Sequence, residues 1–301
     1  MKSYPIPLQP DETPRRTVLR YLGGKWRIAP WVISRLPPHR IYVEPFGGAA
    51  SVLLRKPRSP VEVYNDLDEE IAGIFTVIQD PAHRQLRKKK SKNVQQPNCS
   101  LPQCQALMRR LRRVPYGRVA FEQSFCPSRD PVVRAQRAIT RAYLAFHHGS
   151  LFDLRKHSFS DARHRTGHAK SHEWPSYPRI LPFVRRRLAG VVIERRDALD
   201  VIRAHDTPET LFYVDPPYVP STRSDASYRC ELTEERHAEL LDRLRSVKGM
   251  VVLSGYPSAL YDRELKGWQT AEKSTHAAGS SRPRREVLWL SPAASRALRA
   301  G

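Results

Sequence analysis

The hydrophobic positions of the chain follow two different periods. Short runs of β-branched and aromatic residues between turn residues predict strands at Ile41–Glu44, Val61–Asn65, Val191–Glu194, Leu211–Val214, Met250–Ser254 and Val287–Leu290. Amphipathic patterns of helical period predict helices at Trp26–Leu36, Leu67–Ile78, Thr233–Val247 and Ser258–Leu265. Because strands and helices alternate in this way, we expect an α/β fold with a mostly parallel sheet and helices on both faces. Ligands of such sheets bind at the carboxyl ends of the strands.

The alternation is interrupted between about residues 81 and 189. This region has no acidic residue from Pro81 to Phe121, predicts a helix at Pro131–His148, and continues as a loop rich in Arg, His and Ser at Leu154–Tyr177. A loop of that length usually has a function of its own or is disordered. We therefore expect a flexible N-terminal arm over residues 1–17, a core domain built from residues 18–80 and 190–293, and an inserted, mainly helical module over residues 81–189.

Composition adds a strong positive charge to this picture. The 301 residues are 40% hydrophobic, which is enough to bury a core, and 52 Lys and Arg against 30 Asp and Glu give a net charge of +22. Nucleic acid is the partner that such a surface favours, because its binding releases counterions from the phosphate backbone. A basic surface that only keeps the protein in solution, or a ribosome-associated protein, is the alternative, and Lys88–Lys92 can equally be a solvated loop.

The four cysteines indicate neither a metal site nor a disulfide framework. Cys99, Cys104, Cys126 and Cys230 form no C-x-x-C pair and have no closely spaced His partners, so we expect reduced thiols and no metal. No apolar run approaches the roughly 20 residues that span a bilayer. The N-terminus also lacks the apolar stretch of a signal peptide. We expect a cytoplasmic protein that does not contact membranes.

The segment LFYVDPPYV at Leu211–Val219 is the strongest chemical signal in the chain. An apolar strand brings Asp215 to its carboxyl end, and Pro216 and Pro217 restrict the turn that follows, because proline fixes φ and lacks an N–H. A carboxylate and a constrained carbonyl are two acceptors for an amino group, and the ring of Tyr218 can stack on the base that carries this group. The alternative is an ordinary Pro-Pro turn at the end of a strand.

Three further segments predict a nucleoside-like ligand without phosphate binding. YVEPFGGAAS at Tyr42–Ser51 has a Gly-Gly turn but neither G-x-G-x-x-G nor a P-loop, and it places Glu44 near a ligand with a cationic tail. In VYNDLD, Asp66 can hold ribose hydroxyls, and the alternative is that Asn65 or Asp66 only caps the following helix. Lys25, after Gly23 and Gly24, opens a predicted helix where the helix dipole disfavours it, so it either meets a ligand or is exposed.

Together these segments resemble the Dam-type (D12 class) DNA adenine N6-methyltransferases, especially prophage or phage-borne members. The resemblance extends from Tyr21–Lys25 to Leu253–Tyr256 and Glu286–Trp289 and implies a Rossmann-like methyltransferase sheet, S-adenosylmethionine as cofactor and double-stranded DNA as substrate. It implies a catalytic site at Asp215, Pro216, Pro217 and Tyr218. It also implies cofactor contacts from Tyr21, Gly24, Lys25, Glu44, Pro45, Phe46, Gly47, Asp66, Asp197 and Asp215.

The expected reaction is methyl transfer to the adenine amino group after the base leaves the duplex. Candidates for DNA contacts are the basic residues of the insert: Arg87, Lys88, Arg109, Arg112, Arg155, Lys156, Arg163 and Arg165. Alternatives are methylation of cytosine N4 or of an RNA base, which Asp215 disfavours because the cytosine enzymes more often have Ser before Pro-Pro-Tyr, and a catalytically inactive nucleic-acid-binding relative. The target sequence and the oligomeric state stay open, although a monomer fits the sequence.

Overall fold

The computed structural model of the protein describes residues 6–21, 23–80, 102–146, 158–161, 163, 165–222, 229–276 and 283–300. The chain divides into two compact units. The first unit combines Met1–Leu8, Lys25–Asp68 and Gly190–Gly301. The second unit combines Gln9–Gly24 and Glu69–Ala189. The sheet lies in the first unit, and the second unit is helical in its described part.

A seven-stranded sheet organises the first unit. The strands are β1 (Ile41–Glu44), β2 (Val61–Asn65), β3 (Val192–Glu194), β4 (Thr210–Val214), β5 (Met250–Gly255), β6 (Gln269–His276) and β7 (Pro283–Leu290). Their order across the sheet is β3-β2-β1-β4-β5-β7-β6. The five strands from β3 to β5 pair in parallel, whereas β7 pairs antiparallel with both β5 and β6. The expected α/β fold, a mostly parallel sheet with helices on both faces, is confirmed.

The order of the strands also indicates where a ligand can bind. From β1 the chain proceeds to β2 and β3 on one side, and β4 and β5 follow on the other side. The neighbouring strands β1 and β4 therefore form a topological switch point, and the crevice outside their carboxyl ends is the ligand-binding position of such sheets.

The α-helices of the described residues are α1 (Ala29–Ile33), α2 (Glu69–Gln79), α3 (Gln103–Arg112), α4 (Arg118–Gln123), α5 (Pro131–Leu144), α6 (Arg165–Glu173), α7 (Leu181–Arg187), α8 (Ala198–Ala204), α9 (Glu234–Ser246), α10 (Ala259–Glu264) and α11 (Pro292–Ala300). Short 3-10 segments occur at Pro10–Glu12, Trp174–Ile180 and Pro220–Thr222. Of the α-helices, α1 and α8–α11 belong to the first unit and α2–α7 to the second.

One face of the sheet is apolar and the other is partly polar. Val43, Phe212 and Val251, which are register partners on β1, β4 and β5, form a hydrophobic core with Leu199 of α8 and Leu240 of α9. Side chains alternate along a strand, so the residues between these point to the opposite face. That face carries buried tyrosine, glutamate and serine side chains, among them Tyr42, Glu44, Tyr64, Tyr213 and Ser254.

The second unit has its own apolar interior. Helix α2 packs against α3, α5 and α7, and the aromatic rings of Tyr143, Trp174 and Tyr177 contact one another. Arg141 of α5 is buried but compensated, since it forms an ion pair with Glu70 of α2 and donates to the Ser124 carbonyl. The unit is therefore held by an apolar core and by a buried ion pair.

Two of the predicted helices are shorter in the structure than their hydrophobic patterns. Helix α1 covers only Ala29–Ile33, because residues 26–28 form a turn and Pro30 occupies the first helical turn. Helix α5 ends at Leu144, where Ala145 becomes extended and bridges to Phe159. The sequence did not predict β6, because its polar residues lack an apolar alternation.

The structure assigns contacts to part of the expected N-terminal arm. Ile6 forms an antiparallel bridge with Arg58 in the first unit. The compact units also divide the chain at Asp68 and Glu69, so α2 groups with the helices of residues 103–187. The division into an arm, a core domain and an insert stays a prediction.

Candidate active site

Asp215 lies directly beyond the carboxyl end of the fully buried strand β4. Its Oδ1 accepts a hydrogen bond from the Lys25 ammonium, with 2.8 Å between Nζ and Oδ1. The same ammonium donates to the Tyr218 hydroxyl at 2.6 Å and lies 4.8 Å from the centroid of the Tyr218 ring. Three residues that are far apart in the sequence thus form one cluster at the switch point, in which Lys25 and Tyr218 are buried and the Asp215 side chain is 18% exposed.

Two further side chains complete this cluster from strands β5 and β7. The Tyr218 hydroxyl donates to the Glu286 carboxylate, at 2.9 Å from Oε1 and 3.1 Å from Oε2. The Ser254 hydroxyl donates to Glu286 Oε1 at 2.6 Å, and the Lys25 Nζ lies 3.5 Å from that oxygen. The Tyr256 ring lies 4.2 Å from the Tyr218 ring, measured between centroids. Lys25 therefore lies between two carboxylates.

Burial and charge act against each other on these groups. Burial raises the pKa of Asp215 to about 6, the Lys25 ammonium acts to lower it, and Glu286 raises it further. Burial alone would lower the pKa of Lys25, but the carboxylates of Asp215 and Glu286 outweigh it and raise this pKa above its ordinary value. The ammonium is thus charged at neutral pH, and Asp215 is a carboxylate that protonates in mild acid.

The turn after β1 and the end of β2 form a second group of functional candidates. The Gly48 N–H donates to Asp66 Oδ2 at 2.8 Å, and the Asp68 N–H donates to Asp66 Oδ1 at 2.9 Å. Burial raises the pKa of Asp66 to about 6, although these two backbone hydrogen bonds lower it. A Cβ on Gly47 would lie 2.1 Å from the Tyr64 ring. Glycine is thus required here by the protein's own packing.

Asn65 joins three of the loops at this edge of the sheet. Its side-chain amide donates to the carbonyls of Pro45 and Arg196, at 2.8 Å and 3.0 Å, and its Oδ1 accepts from the Arg196 N–H at 2.8 Å. Pro45 follows β1, and Arg196 follows β3. Phe46, the next predicted cofactor residue, packs against the apolar core.

Glu44 is engaged within the protein. Its Oε1 accepts from the Tyr42 hydroxyl at 2.6 Å and from the Leu53 N–H at 2.8 Å. Burial raises the pKa of Glu44 to about 7, against the effect of both hydrogen bonds. These contacts give Glu44 a structural role.

The remaining predicted cofactor residues do not join the Lys25 cluster. Asp197 caps α8 by accepting from the Leu199 N–H, and it forms an ion pair with Arg236 of α9. Tyr21 and Gly24 belong to the second unit, where the Gly24 N–H donates to the Tyr21 carbonyl. The structure therefore brings Lys25, Asp215 and Tyr218 together, and it ties Gly47 to Asp66 through the turn.

Four of the eight predicted DNA-binding residues lie in the part of the chain that the structure describes. Arg109 and Arg112 are exposed on α3, whose buried side is formed by Cys104, Leu107 and Leu111. Arg163 forms an ion pair with Asp161 at 2.6 Å. Arg165 begins α6. Outside the described residues lie Arg87, Lys88, Arg155 and Lys156.

The sequence assigned no role in the site to Glu286, Ser254 or Asn65, although the resemblance includes the segments Leu253–Tyr256 and Glu286–Trp289 and Asn65 was considered as a helix cap. Glu286 precedes the apolar strand segment Val287–Leu290, where an isolated acid resembles an ordinary flanking charge. Ser254 ends the predicted strand Met250–Ser254 and gave no signal of its own. Of the three, only Asn65 had a local signal, its position beside Asp66.

Within the part of the chain that the structure describes, no group of three or more His, Cys, Asp or Glu side chains could hold a metal ion. Over the same residues, no helix has the length and hydropathy that a membrane span requires.

Comparison with known proteins identifies the family to which this chain is similar. The family model described as D12 class N6 adenine-specific DNA methyltransferase matches residues 21–266, which include Lys25, Asp66 and Asp215. The match ends before β6 and β7, so Glu286 lies outside it. No curated protein matches the chain.

Proposed function

The chain belongs to the D12 class of N6 adenine-specific DNA methyltransferases, and on this premise we propose that Asp215, Pro216 and Tyr218 form its catalytic site. The enzyme transfers a methyl group from S-adenosylmethionine to the N6 amino group of adenine in DNA. The observation that carries the assignment is the largely buried Asp215 carboxylate beyond β4, which already holds an N–H donor, the Lys25 ammonium, at 2.8 Å.

The proposed site answers a problem of adenine chemistry. The lone pair of the N6 amino group is delocalised into the ring, so the nitrogen is a poor nucleophile. Hydrogen bonds from its two N–H groups to the Asp215 carboxylate and the Pro216 carbonyl favour a pyramidal nitrogen, and they strengthen as positive charge develops there in the transition state. Pro217 keeps the turn rigid and Tyr218 faces the base, so positioning supplies part of the rate.

The charge on Asp215 matters for the same reason. Only the ionised carboxylate accepts from both the resting ammonium and the incoming amino group, and it also stabilises the developing positive charge on N6. After transfer, the methylated nitrogen loses a proton. Asp215 is close enough to receive it, although so acidic an ammonium does not require a dedicated base.

The residues at the carboxyl ends of β1 and β2 fit S-adenosylmethionine by their chemistry. A carboxylate at the end of β2, here Asp66, is the group that holds ribose hydroxyls in nucleoside-binding α/β folds, and the Gly47–Gly48 turn brings backbone beside it. When bound, the cofactor supplies an electrophilic methyl group on its sulfonium. We assign cofactor contacts to the full set of Tyr21, Gly24, Lys25, Glu44, Pro45, Phe46, Gly47, Asp66, Asp197 and Asp215.

Double-stranded DNA is the proposed form of the substrate. Its phosphates match the net charge of +22 and the exposed arginines of α3, Arg109 and Arg112. Extruding the target base costs a few kcal/mol of unstacking, which phosphate contacts of this kind offset. We expect the protein to act as a monomer in the cytoplasm, where its DNA substrate lies.

The test is to replace Asp215 by Ala and to analyse methylated DNA as nucleosides. We expect N6-methyladenine from the wild type, loss of transfer in Asp215→Ala, and retained DNA binding. Asp242→Ala is the matched control, because this carboxylate is exposed and far from β4 in sequence. Unchanged product from Asp215→Ala would refute the site, and methylcytosine without methyladenine would favour the cytosine alternative.

A further inference from the structure

Glu286 is a buried carboxylate on β7 with a dense set of contacts. Its side chain is 5% exposed. It accepts from the Tyr218 hydroxyl through both oxygens and from the Ser254 hydroxyl through Oε1. It is thus fixed by two donors while it faces the Lys25 ammonium.

The position of Lys25 raises a question for the reaction. Its ammonium donates to Asp215 Oδ1, on the same carboxylate that accepts the adenine amino group in the proposed reaction. Both groups are N–H donors, so the lysine takes the place of the amino group in the base-free enzyme. Because both donors draw on the charge of one carboxylate, Asp215 accepts the amino group more strongly when the ammonium moves away from it.

A buried ammonium cannot simply lose its counter-ion. An unpaired charge in a protein interior is costly, and breaking a buried ion pair leaves the remaining ion uncompensated. Glu286 Oε1 lies 3.5 Å from the Lys25 Nζ, so a second carboxylate is already within ion-pair distance. A small movement of the lysine end exchanges one counter-ion for the other and frees Asp215.

We propose that Glu286 is a positioning residue: it holds the Lys25 ammonium when the adenine amino group replaces it on Asp215, and it fixes the Tyr218 hydroxyl meanwhile. The proposal rests on the proposed function of Asp215. It adds a second carboxylate to that function. The carboxylates of Asp215 and Glu286 share the single positive charge of Lys25, so one negative charge remains for the incoming amino group. Glu286 acts through Lys25 and Tyr218 and does not itself touch the base.

The main test is Glu286→Gln, which keeps the shape of the side chain and removes its charge. Lys25 then stays on Asp215 and competes with the amino group. We expect kcat to fall about 10- to 100-fold, as for other losses of positioning, while the KM for DNA changes less than about threefold. If the substitution mainly impaired folding, a smaller fraction of the protein would be active, and the pH profile of that fraction would be unchanged.

The pH profile gives a readout that a purely structural role would not move. Burial and Glu286 raise the pKa of Asp215 and Lys25 lowers it; Asp215 in turn raises the pKa values of Tyr213, Glu44 and Tyr261. Glu286 raises the pKa of Asp215, so removing its charge lowers that pKa. The acid limb of kcat/KM, which reports the free enzyme, should therefore move to lower pH in Glu286→Gln.

Two variants control for fold and charge. Glu272→Gln removes an exposed carboxylate from β6 of the same hairpin and should leave kcat and the pH profile unchanged. Glu286→Asp keeps the charge on a shorter side chain and should recover part of the rate. If Glu286→Asp is no better than Glu286→Gln, the charge is not what matters and the proposal is wrong.

A double-mutant cycle tests the coupling without turnover. Lys25→Met and Glu286→Gln are combined, and unfolding by urea is measured for all four proteins. If Glu286 acts through Lys25, the double variant loses less stability than the sum of the single losses. Additive losses of stability, together with an unchanged kcat and pH profile in Glu286→Gln, would refute the role proposed for Glu286. The proposed function of Asp215 would not be affected by that result, because methylation by the wild type, measured in parallel, tests it separately.

Discussion

Asp215 combines a largely buried carboxylate with a mildly acidic pKa. An aspartate in water has a pKa of about 3.9, whereas burial raises that of Asp215 to about 6 despite the neighbouring Lys25. The group is consequently ionised at neutral pH but close enough to titration for mild acid to remove its charge. Burial makes its hydrogen bonds strong, and the ion pair keeps it ionised.

This pKa predicts the acid side of the activity profile. Methyl transfer needs the ionised carboxylate, so kcat/KM should be constant above the pKa and fall as the pH decreases through about 6. The measurement is kcat/KM for DNA between pH 5 and pH 8, with circular dichroism at each pH to verify folding. A rate that stays constant down to pH 5 would show that Asp215 does not limit activity.

At the scale of elements, the turn after β1 is shaped by strand β2. Gly47 lies against the Tyr64 ring, and the Tyr64 hydroxyl donates to the Gly48 carbonyl at 2.8 Å. The sequence suggested that glycine serves close approach to a ligand. The contact with Tyr64 gives a reason within the protein, and both can apply to one turn.

The contact predicts a large effect from one methyl group. In Gly47→Ala the new Cβ would lie 2.1 Å from the Tyr64 ring, so the ring or the turn must move. Overpacking of this kind costs about 1–3 kcal/mol of unfolding free energy, measured by urea denaturation. The matched control is Gly73→Ala in α2, where a Cβ meets nothing within 4 Å and helix propensity favours alanine by up to about 1 kcal/mol. Equal stability of the two variants would contradict the prediction.

The central strands β1 and β2 were easier to predict than the ends of α1 and α5. The bounds of β1 and β2 agree with the predicted ones, because a short run of β-branched and aromatic residues between turn residues marks each strand. Helix α1 and the end of α5 were predicted too long, since apolar positions continue after the backbone leaves the helix. Strand β6 was missed because an edge strand has no apolar pattern of its own.

At the scale of the whole molecule, charge governs the encounter with DNA. The net charge of +22 predicts strongly salt-dependent binding. Each phosphate contact contributes about −0.9 to the slope of log K against log salt concentration. DNA affinity should therefore fall steeply between 50 mM and 200 mM salt, where about 6–10 contacts would lose a factor of about 10³–10⁵.

The exposed arginines of α3 are expected to supply part of this slope. Replacing Arg109 and Arg112 together by Ala should weaken binding for all sequences alike and reduce the slope by about two, one for each phosphate contact. Fluorescence anisotropy across a salt series measures both quantities. The control is Arg203→Ala, which removes an exposed arginine of α8 that pairs with Asp200. A slope as steep in the α3 variant as in the control would assign the phosphate contacts elsewhere.

The sequence by itself determined the α/β class, the family resemblance and the position of Asp215 at a strand end, because these depend on local periodicity and on contiguous motifs. Only the tertiary structure decided which distant side chains meet. Lys25, Ser254 and Glu286 come from three separate segments and converge on Asp215 and Tyr218 through the strand order. The physical reason is that the sequence around Glu286 is the same for a surface charge and for a buried counter-ion. Only the packing of β7 beside β5 removes the Glu286 carboxylate from water.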